Sequence, residues 1–584
     1  MAEARTLNGL LERAAGFPDT GLRLLDRFEE ERWYPWPAIY DRARRVAGGL
    51  RELGVARGER VALVFPTGVG FFDAFFGVLL AGATPVPLYP PVRLGRLAEY
   101  HERTAAMIRA VGARVVLADA VVRRLLGEVV ERSKPALGCR TPADLVGGRQ
   151  TSEAVDESAL ALVQFSSGTT VDPKPVALSH RAVVAQTRLL NGFWPPRPGL
   201  VDSGVSWLPL YHDMGLIGCV FPALERPGTL TLIPPELFVA RPAVWLRTIS
   251  RYRATLSPAP NFAYGLCVEK VRDEELAGVD LSSWRVALNG AEPVAPRVLR
   301  AFQQRFAPWG FRPEALTPVY GLSEASLAVT FSDLERVFSS RRFDREALAS
   351  DGVVREEDGG VELVSGGRPL PGFALKIAGD DGGELEPGRV GRVLVRGPSL
   401  LEGYLGRPQP TADALCGGWL DTGDLGFLVA GELYLSGRAK DVLILRGRCH
   451  SPVEVEHAVD AVEGLRTGCA VAASFLPEGA DGEELVLLAE GRRDIGAEDY
   501  PALAVEAARA VRAATCLQPD HVAVLPPGTL PRTSSGKLRR QEALARWRRG
   551  ELEPPAAVTP IRLVGAMARS SVAMARARRA RGRG

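Results

Sequence analysis

Ala38-Ile-Tyr-Asp-Arg-Ala-Arg-Arg-Val-Ala-Gly-Gly-Leu-Arg-Glu-Leu-Gly54, followed shortly by Val61-Ala-Leu-Val-Phe65, changes its hydrophobic period partway along. Ile39, Ala43, Val46, Leu50 and Leu53 recur at alternating four- and three-residue steps. That spacing predicts one amphipathic helix over 38–53, with Gly54 as its stop. Val61 to Phe65 is a short continuous apolar run, as a buried strand requires. The theme repeats outward, with a helix from about 70 to 81, a run near Pro85–Leu88, then Ala113–Leu117 before a helical 119–132. Strands alternating with helices predict parallel α/β layers. No internal repeat of fixed period is present.

At 584 residues the chain is too long for one compact core, so two to four domains are expected. A content of 46% hydrophobic and 24% charged residues places it among ordinary soluble globular proteins. The seven cysteines are odd in number, scattered and never in CxxC spacing, which argues against a disulfide framework or a zinc site. The N-terminus lacks the apolar core of a signal peptide. The most apolar stretch, Phe71–Ala83, contains Asp73 and is too short to span a bilayer. A cytoplasmic protein without a transmembrane segment is expected.

Charge is unevenly spread. Seven arginines lie between Arg562 and Arg583, and no acid follows Glu553, so a mildly acidic body carries a basic tail. The tail reads either as a solvated, disordered end or as a docking arm for an acidic partner or anionic surface. Residues 331–363 differ in texture, with charged, serine- and glycine-containing sequence between two patterned regions. Short β-like runs follow 390, at 392–396 and 433–435. From about 440 a smaller α+β unit fits: helix 452–464, strands 469–475 and 485–489, helix 500–514, strand 522–525. The expected domains are 1–436, with 331–363 as an insertion, then 437–550, then a disordered tail 551–584.

Only six of the 72 basic residues are lysines, and three of the six sit in Gly/Ser/Thr-rich loops. They are Lys174 in Ser166-Ser-Gly-Thr-Thr-Val-Asp-Pro-Lys-Pro175, Lys440 in Gly437-Arg-Ala-Lys-Asp441, and Lys537 in Pro531-Arg-Thr-Ser-Ser-Gly-Lys-Leu-Arg-Arg540. Lysine delivers a point charge on a thin stem, where arginine would present a wide fork. The first loop follows an apolar strand, Leu160–Phe165, and its backbone N–H groups and the hydroxyls of Ser166, Ser167, Thr169 and Thr170 can surround phosphate oxygens. It is not a Walker A loop, and alone it is only modest evidence against an ordinary surface turn.

Val205-Ser-Trp-Leu-Pro-Leu-Tyr-His-Asp-Met-Gly-Leu216, Ser257-Pro-Ala-Pro-Asn-Phe-Ala-Tyr264, Asn289-Gly-Ala-Glu-Pro293, Val319-Tyr-Gly-Leu-Ser-Glu324, Trp419-Leu-Asp-Thr-Gly-Asp424 and the two later lysine loops follow in order. Over roughly 10–545 this series resembles the adenylate-forming superfamily of acyl-CoA synthetases, luciferases and peptide-synthetase adenylation domains. Tyr-His-Asp-Met-Gly-Leu, Pro-Asn-Phe-Ala-Tyr and the insertion before Val364-Ser-Gly-Gly-Arg-Pro-Leu-Pro371 are most similar to the fatty acyl-AMP ligases. The resemblance implies a large N-terminal domain of layered α/β subdomains with a small β-barrel-like part. A small, mobile C-terminal α+β domain would complete it.

It further implies ATP and Mg²⁺ as cofactors, and a fatty acid as the substrate activated to an acyl-adenylate. On this reading Tyr320, beside Gly321, stacks on adenine, with Asn289, Gly290, Ala291 and Glu292 at its edge. Asp424 takes the ribose hydroxyls with Arg438 in support, and Ser323 meets the α-phosphate. Ser166, Ser167, Gly168, Thr169, Thr170 and Lys174 hold the leaving phosphates. Glu324, with Thr170, holds Mg²⁺. Lys537 stabilises the transition state, and Lys440 is the hinge on which the small domain turns. His212 stands either beside the acyl channel or as a satisfied histidine. Met214, Gly215, Leu216, Ile217 and Gly218 line an acyl tunnel or form ordinary core. Asp213 is assigned no substrate amine, because the acyl-AMP-ligase-like pattern has Asp there too.

The phosphate loop departs from the superfamily pattern. Val171 and Pro175 replace expected glycines and Asp172 adds a negative charge, so a stiffer and weaker pyrophosphate clamp is expected. Three functions remain open: a fatty acyl-AMP ligase serving a separate acyl carrier protein, an acyl-CoA synthetase using free CoA, and a catalytically idle adenylate- or acyl-binding regulator. The insertion favours the first, and retention of Glu324, Asp424, Arg438 and Lys537 counts against the third. No nucleic-acid partner is expected.

Overall fold

The helix expected over 38–53 spans Trp36–Glu52, and Gly54 leaves it at φ 91°, a left-handed turn that costs glycine no Cβ clash. It packs on the helix Val69–Leu80. The two axes approach closely because Gly77 has no side chain: a Cβ there would lie 2.6 Å from Val46 Cγ1. Arg42 crosses this contact and donates from Nε to Asp73 Oδ1 at 2.8 Å. The acid that interrupts the apolar run is thus buried and paired, its carboxyl pKa pushed up by burial against the pull of Arg42. The computed structural model describes residues 4–92, 94–145, 152–166, 173–350, 352–445, 448–477, 482–533, 536–556 and 558–581.

The run at Val61 becomes the strand Arg60–Val64, inside a parallel sheet ordered Thr84–Leu88, Arg60–Val64, Val115–Ala118, Cys139–Arg140. Among the described residues a second, nine-stranded sheet is parallel from Leu316–Gly321 through Val286–Asn289, Leu256–Ala259, Ser203–Ser206 and Thr229–Leu232 to Gly21–Leu25. Its parallel strands end along one edge, where open α/β sheets bind ligands. The motifs at 207–216, 289–293 and 321–324 leave from that edge.

A five-stranded antiparallel sheet stands where the barrel-like part was expected. It consists of Ala374–Ala378, Gly391–Arg396, Trp419–Val429 and Leu415–Cys416, with Glu432–Arg438 paired to Trp419–Val429. The 331–363 insertion is built against it. Ser340–Phe343 pairs with Val361–Val364. Phe343 packs edge-on to Phe427 and Tyr434 at 4.9 and 5.4 Å between ring centroids. The small C-terminal domain is a sheet of Leu465–Phe475, Glu484–Gly491 and His521–Leu525. Helices Pro452–Ala458 and Tyr500–Thr515 cover one face, and Arg540–Arg548 covers the other. Among the described residues, no helix is long and apolar enough to cross a membrane.

Two expectations change. The helix of 119–132 is two pieces, Ala120–Arg123 and Gly127–Ser133. The tail expected to be disordered forms a 22-residue helix, Pro560–Arg581, docked on the second piece. Ser570 Oγ accepts from the Gly127 N–H at 2.7 Å, and a Cβ on Gly127 would lie 1.7 Å from Ser570 O. Ala566, Ser570 and Ala573 are buried there, while Met574 and Ala577 pack on the core beneath. Composition hid this element because its buried stripe is made of small residues at helical spacing, not large apolar ones. Gly127→Val and, separately, Ser570→Leu are each expected to undock the helix, read as faster tryptic release of the C-terminal segment. An unchanged cleavage pattern in both would contradict the docking.

Candidate active site

Asn289 ends its strand fully buried, and Gly290 passes so close to the next strand that a Cβ would lie 2.7 Å from Val319 Cγ2. Ala291 then turns at φ 69°, and Glu292 Oε1 accepts from the Phe262 N–H at 2.6 Å. Ala291 and Glu292 reach the cleft wall, and Asn289 and Gly290 support it from beneath. One strand further on, the Tyr320 hydroxyl donates to Asp424 Oδ2 at 2.7 Å. Asp424 lies opposite Arg438 in the hairpin register, and Arg438 Nε stands 3.1 Å from Asp424 Oδ1. Gly321 is needed at the strand end, since a Cβ would meet Leu327 O at 1.8 Å.

The turn Ser323–Ala325 brings two further groups. The Ser323 hydroxyl donates to Asp213 Oδ2. Glu324 Oε1 accepts from the Tyr404 hydroxyl at 3.0 Å. Burial raises the Glu324 carboxyl pKa, while Tyr404, Arg438 and Lys174 oppose that rise. Lys174 Nζ lies 4.5 Å from the centroid of the same Tyr404 ring. The Ser166 N–H donates to Lys174 O at 2.9 Å, which closes the base of the phosphate loop. Ser167, Gly168, Thr169 and Thr170, together with Val171 and Asp172, lie outside the described residues. Pro175 opens the strand Pro175–Ser179, a position where a missing N–H is tolerated.

His212 and Asp213 form the opposite wall. His212 Nδ1 stands 2.6 Å from Asp213 Oδ1. Burial alone would raise the Asp213 carboxyl pKa, but His212, Ser323 and Lys537 outweigh it and hold the group well below the usual carboxylate range. After Asp213–Gly215 the chain winds as a π-helical turn, Leu216–Val220, a rare geometry that often marks functional sites. Met214 and Gly218 line the cleft. Gly215 does not: it packs against Pro209, where a Cβ would lie 2.3 Å from the carbonyl oxygen.

Lys537 comes from the C-terminal domain, in a loop where its own N–H donates to Thr533 Oγ1 at 3.0 Å. Lys537 is half-buried; desolvation and the neighbouring Arg438 lower its pKa, whereas Asp213, Glu292 and Asp424 pull the other way. Lys440 stays exposed between the domains, its carbonyl accepting from Gln541 Nε2 at 3.4 Å. The shared cleft measures about 3340 Å³, several times a pocket for one small molecule at about 300–1,000 Å³. Lys174, Arg438 and Lys537, with the oxygen acceptors around them, make a set that suits a nucleotide with its phosphates.

Sequence reasoning did not single out Tyr404, which meets both Glu324 and Lys174, or the bonds of Asp213 to His212 and Ser323. A Gly-Tyr pair after a β-run and an Asp beside a His were the only signals. It also could not show how the insertion meets the small domain. Arg345 donates from Nε to Glu454 Oε1 at 3.3 Å and from a terminal nitrogen to Ala514 O at 2.8 Å. Arg448 pairs with Glu346 at 3.0 Å.

The AMP-binding enzyme family matches residues 10–405. The chain is 33% identical to the long-chain-fatty-acid–AMP ligase FadD26 of Mycobacterium marinum, over 88% of this chain and 91% of the relative. It is 33% identical to the medium-chain-fatty-acid–[acyl-carrier-protein] ligase JamA of Moorena producens, over 88% of this chain and 89% of that one. A structure from a study of fatty acyl-adenylate ligases of E. coli and L. pneumophila superposes with a TM-score of 0.87. It is 31% identical, covering 93% of this chain and 98% of the other.

Proposed function

The chain belongs to the AMP-binding enzyme family, and on that premise we propose that it activates a medium- to long-chain fatty acid as its acyl-adenylate. The acyl group then passes to the phosphopantetheine thiol of a separate acyl carrier protein. In the first half-reaction a carboxylate oxygen bonds to the α-phosphorus of ATP as the bond to pyrophosphate breaks. Bound to Glu324, Mg²⁺ would neutralise phosphate charge. Lys537 meets the negative charge shared by the carboxylate and the α-phosphate. Asp424, oriented by Tyr320 and Arg438, takes the ribose, and Lys174 faces the departing pyrophosphate. Met214 and Gly218 belong to the acyl path.

The observation that carries this reading is Lys537 itself. A half-buried lysine of the small domain lines the same cleft as Asp213, Glu292, Asp424 and Arg438 of the large one. The test is fatty-acid-dependent exchange of pyrophosphate into ATP, followed by acyl transfer to a phosphopantetheinylated carrier and to CoA. Exchange without detectable transfer to CoA is expected. Complete absence of exchange would favour the idle regulator.

The Arg345–Glu454 and Arg448–Glu346 pairs favour the carrier over free CoA, because they tie the insertion to the domain that must rotate for thiol transfer. Arg345→Ala combined with Arg448→Ala is expected to raise turnover with CoA at unchanged pyrophosphate exchange. If CoA turnover does not move, the second reading, an acyl-CoA synthetase limited by other means, gains. Glu432–Arg438 completes the large domain's sheet and Leu443–Leu445 begins the small one, so the proposed hinge is 439–442, around Lys440. A cytoplasmic location goes with this reading.

A further inference from the structure

Tyr404 touches both charged groups at the phosphate end of the cleft. It belongs to Gly403–Tyr404, which pairs antiparallel with Pro175–Ser179, the strand that leaves Lys174. The Leu405 N–H donates to Pro175 O at 2.8 Å and the Glu402 N–H to Ala177 O at 2.9 Å. On the other side the Leu401 N–H donates to Glu324 O at 2.8 Å. One short segment is therefore bonded to the strand after Lys174 and to the turn that carries Glu324. The Tyr404 N–H is itself held by Thr411 Oγ1 at 2.9 Å, and the side chain is 6% exposed.

We propose that Tyr404 is a positioning residue for adenylation, which sets the separation of Lys174 and Glu324. The inference rests on the adenylating function proposed above. The ring face attracts the ammonium without accepting its hydrogen bonds in a fixed direction, so the lysine's donors stay available to phosphate oxygens. The hydroxyl donates to Glu324 Oε1 and so fixes the orientation of the carboxylate that would hold a cation. A flexible four-carbon stem and a half-buried carboxylate are thereby held by one rigid, well-packed group.

Two variants separate the halves. Tyr404→Phe removes the hydroxyl and keeps the ring; Tyr404→Leu removes both. Tyr404→Phe is expected to raise the Mg²⁺ concentration for half-maximal exchange about tenfold, the value of one charge-assisted hydrogen bond. It should leave the KM for pyrophosphate in the reverse reaction unchanged. Tyr404→Leu is expected to raise that KM as well, by about threefold for the lost ring–ammonium contact. Calorimetric ATP binding with and without Mg²⁺ supplies a readout independent of turnover: Tyr404→Phe should weaken binding only when Mg²⁺ is present. Wild-type behaviour of Tyr404→Phe, or identical defects in both variants that track their melting temperatures, would overturn the inference. Absence of exchange in the wild type would instead overturn the proposed function, so the two failures are distinguishable.

Discussion

Lys537→Ala is expected to lower fatty-acid-dependent pyrophosphate exchange by about 10²–10³-fold, the usual cost of removing one preorganised donor to developing negative charge. The melting temperature should change little. Burial lowers the lysine's pKa, which means that folding disfavours its charged form, so removing it does not cost the fold a favourable ion pair. Lys537→Arg should not restore activity, because the pocket among Asp213, Glu292 and Asp424 meets a point charge and the guanidinium fork is broad. In the proposed mechanism the protonated ammonium is the active form. Its lowered pKa therefore predicts that activity declines on the alkaline side below the ordinary lysine value of 10.5. An alkaline limb at or above that value in the wild type, or exchange in Lys537→Ala within threefold of wild type by the same cost estimate, would contradict the assignment.

Asp213→Asn should have the second largest effect, a loss of about 10–100-fold in kcat/KM from one or more charge-assisted hydrogen bonds. The variant keeps the shape but removes the anion that faces His212, Ser323 and Lys537. The single amide oxygen that remains can accept for only one of the two partners, His212 or Ser323. The stability effect has a definite sign. A carboxyl whose folded pKa is depressed contributes stability that is complete above the unfolded value near 4 and is lost as pH falls toward the folded one. The melting temperature of Asp213→Asn should therefore lie below wild type at neutral pH, with the gap closing as pH drops below about 4. A gap independent of pH would show that the charge of Asp213 carries none of it.

The cleft's polar groups were legible because those proposed to handle phosphate and ribose sit in short segments whose local order is fixed by strand ends and tight turns. Glu292, Tyr320, Glu324, Asp424 and Lys537 all line one cleft. Gly215 stayed open between tunnel wall and core for the same local reason, and only the packed neighbour Pro209 shows that its missing side chain serves close contact. The tail helix was illegible because arginine dominates its composition, and the small-residue stripe acquires meaning only opposite Gly127.

By itself the sequence determined the alternation of helix and strand from residue 38 onward, the parallel layers this implies, and the order of the chemical segments. Those properties depend on periods of two to four residues, which any local window contains. The tertiary structure alone decided which side chain answers which. Ser323 meets Asp213 across 110 positions, Tyr320 meets Asp424 across 104, and Tyr404 meets Glu324 across 80. A hydrogen bond is specific over about 3 Å of space and indifferent to distance along the chain.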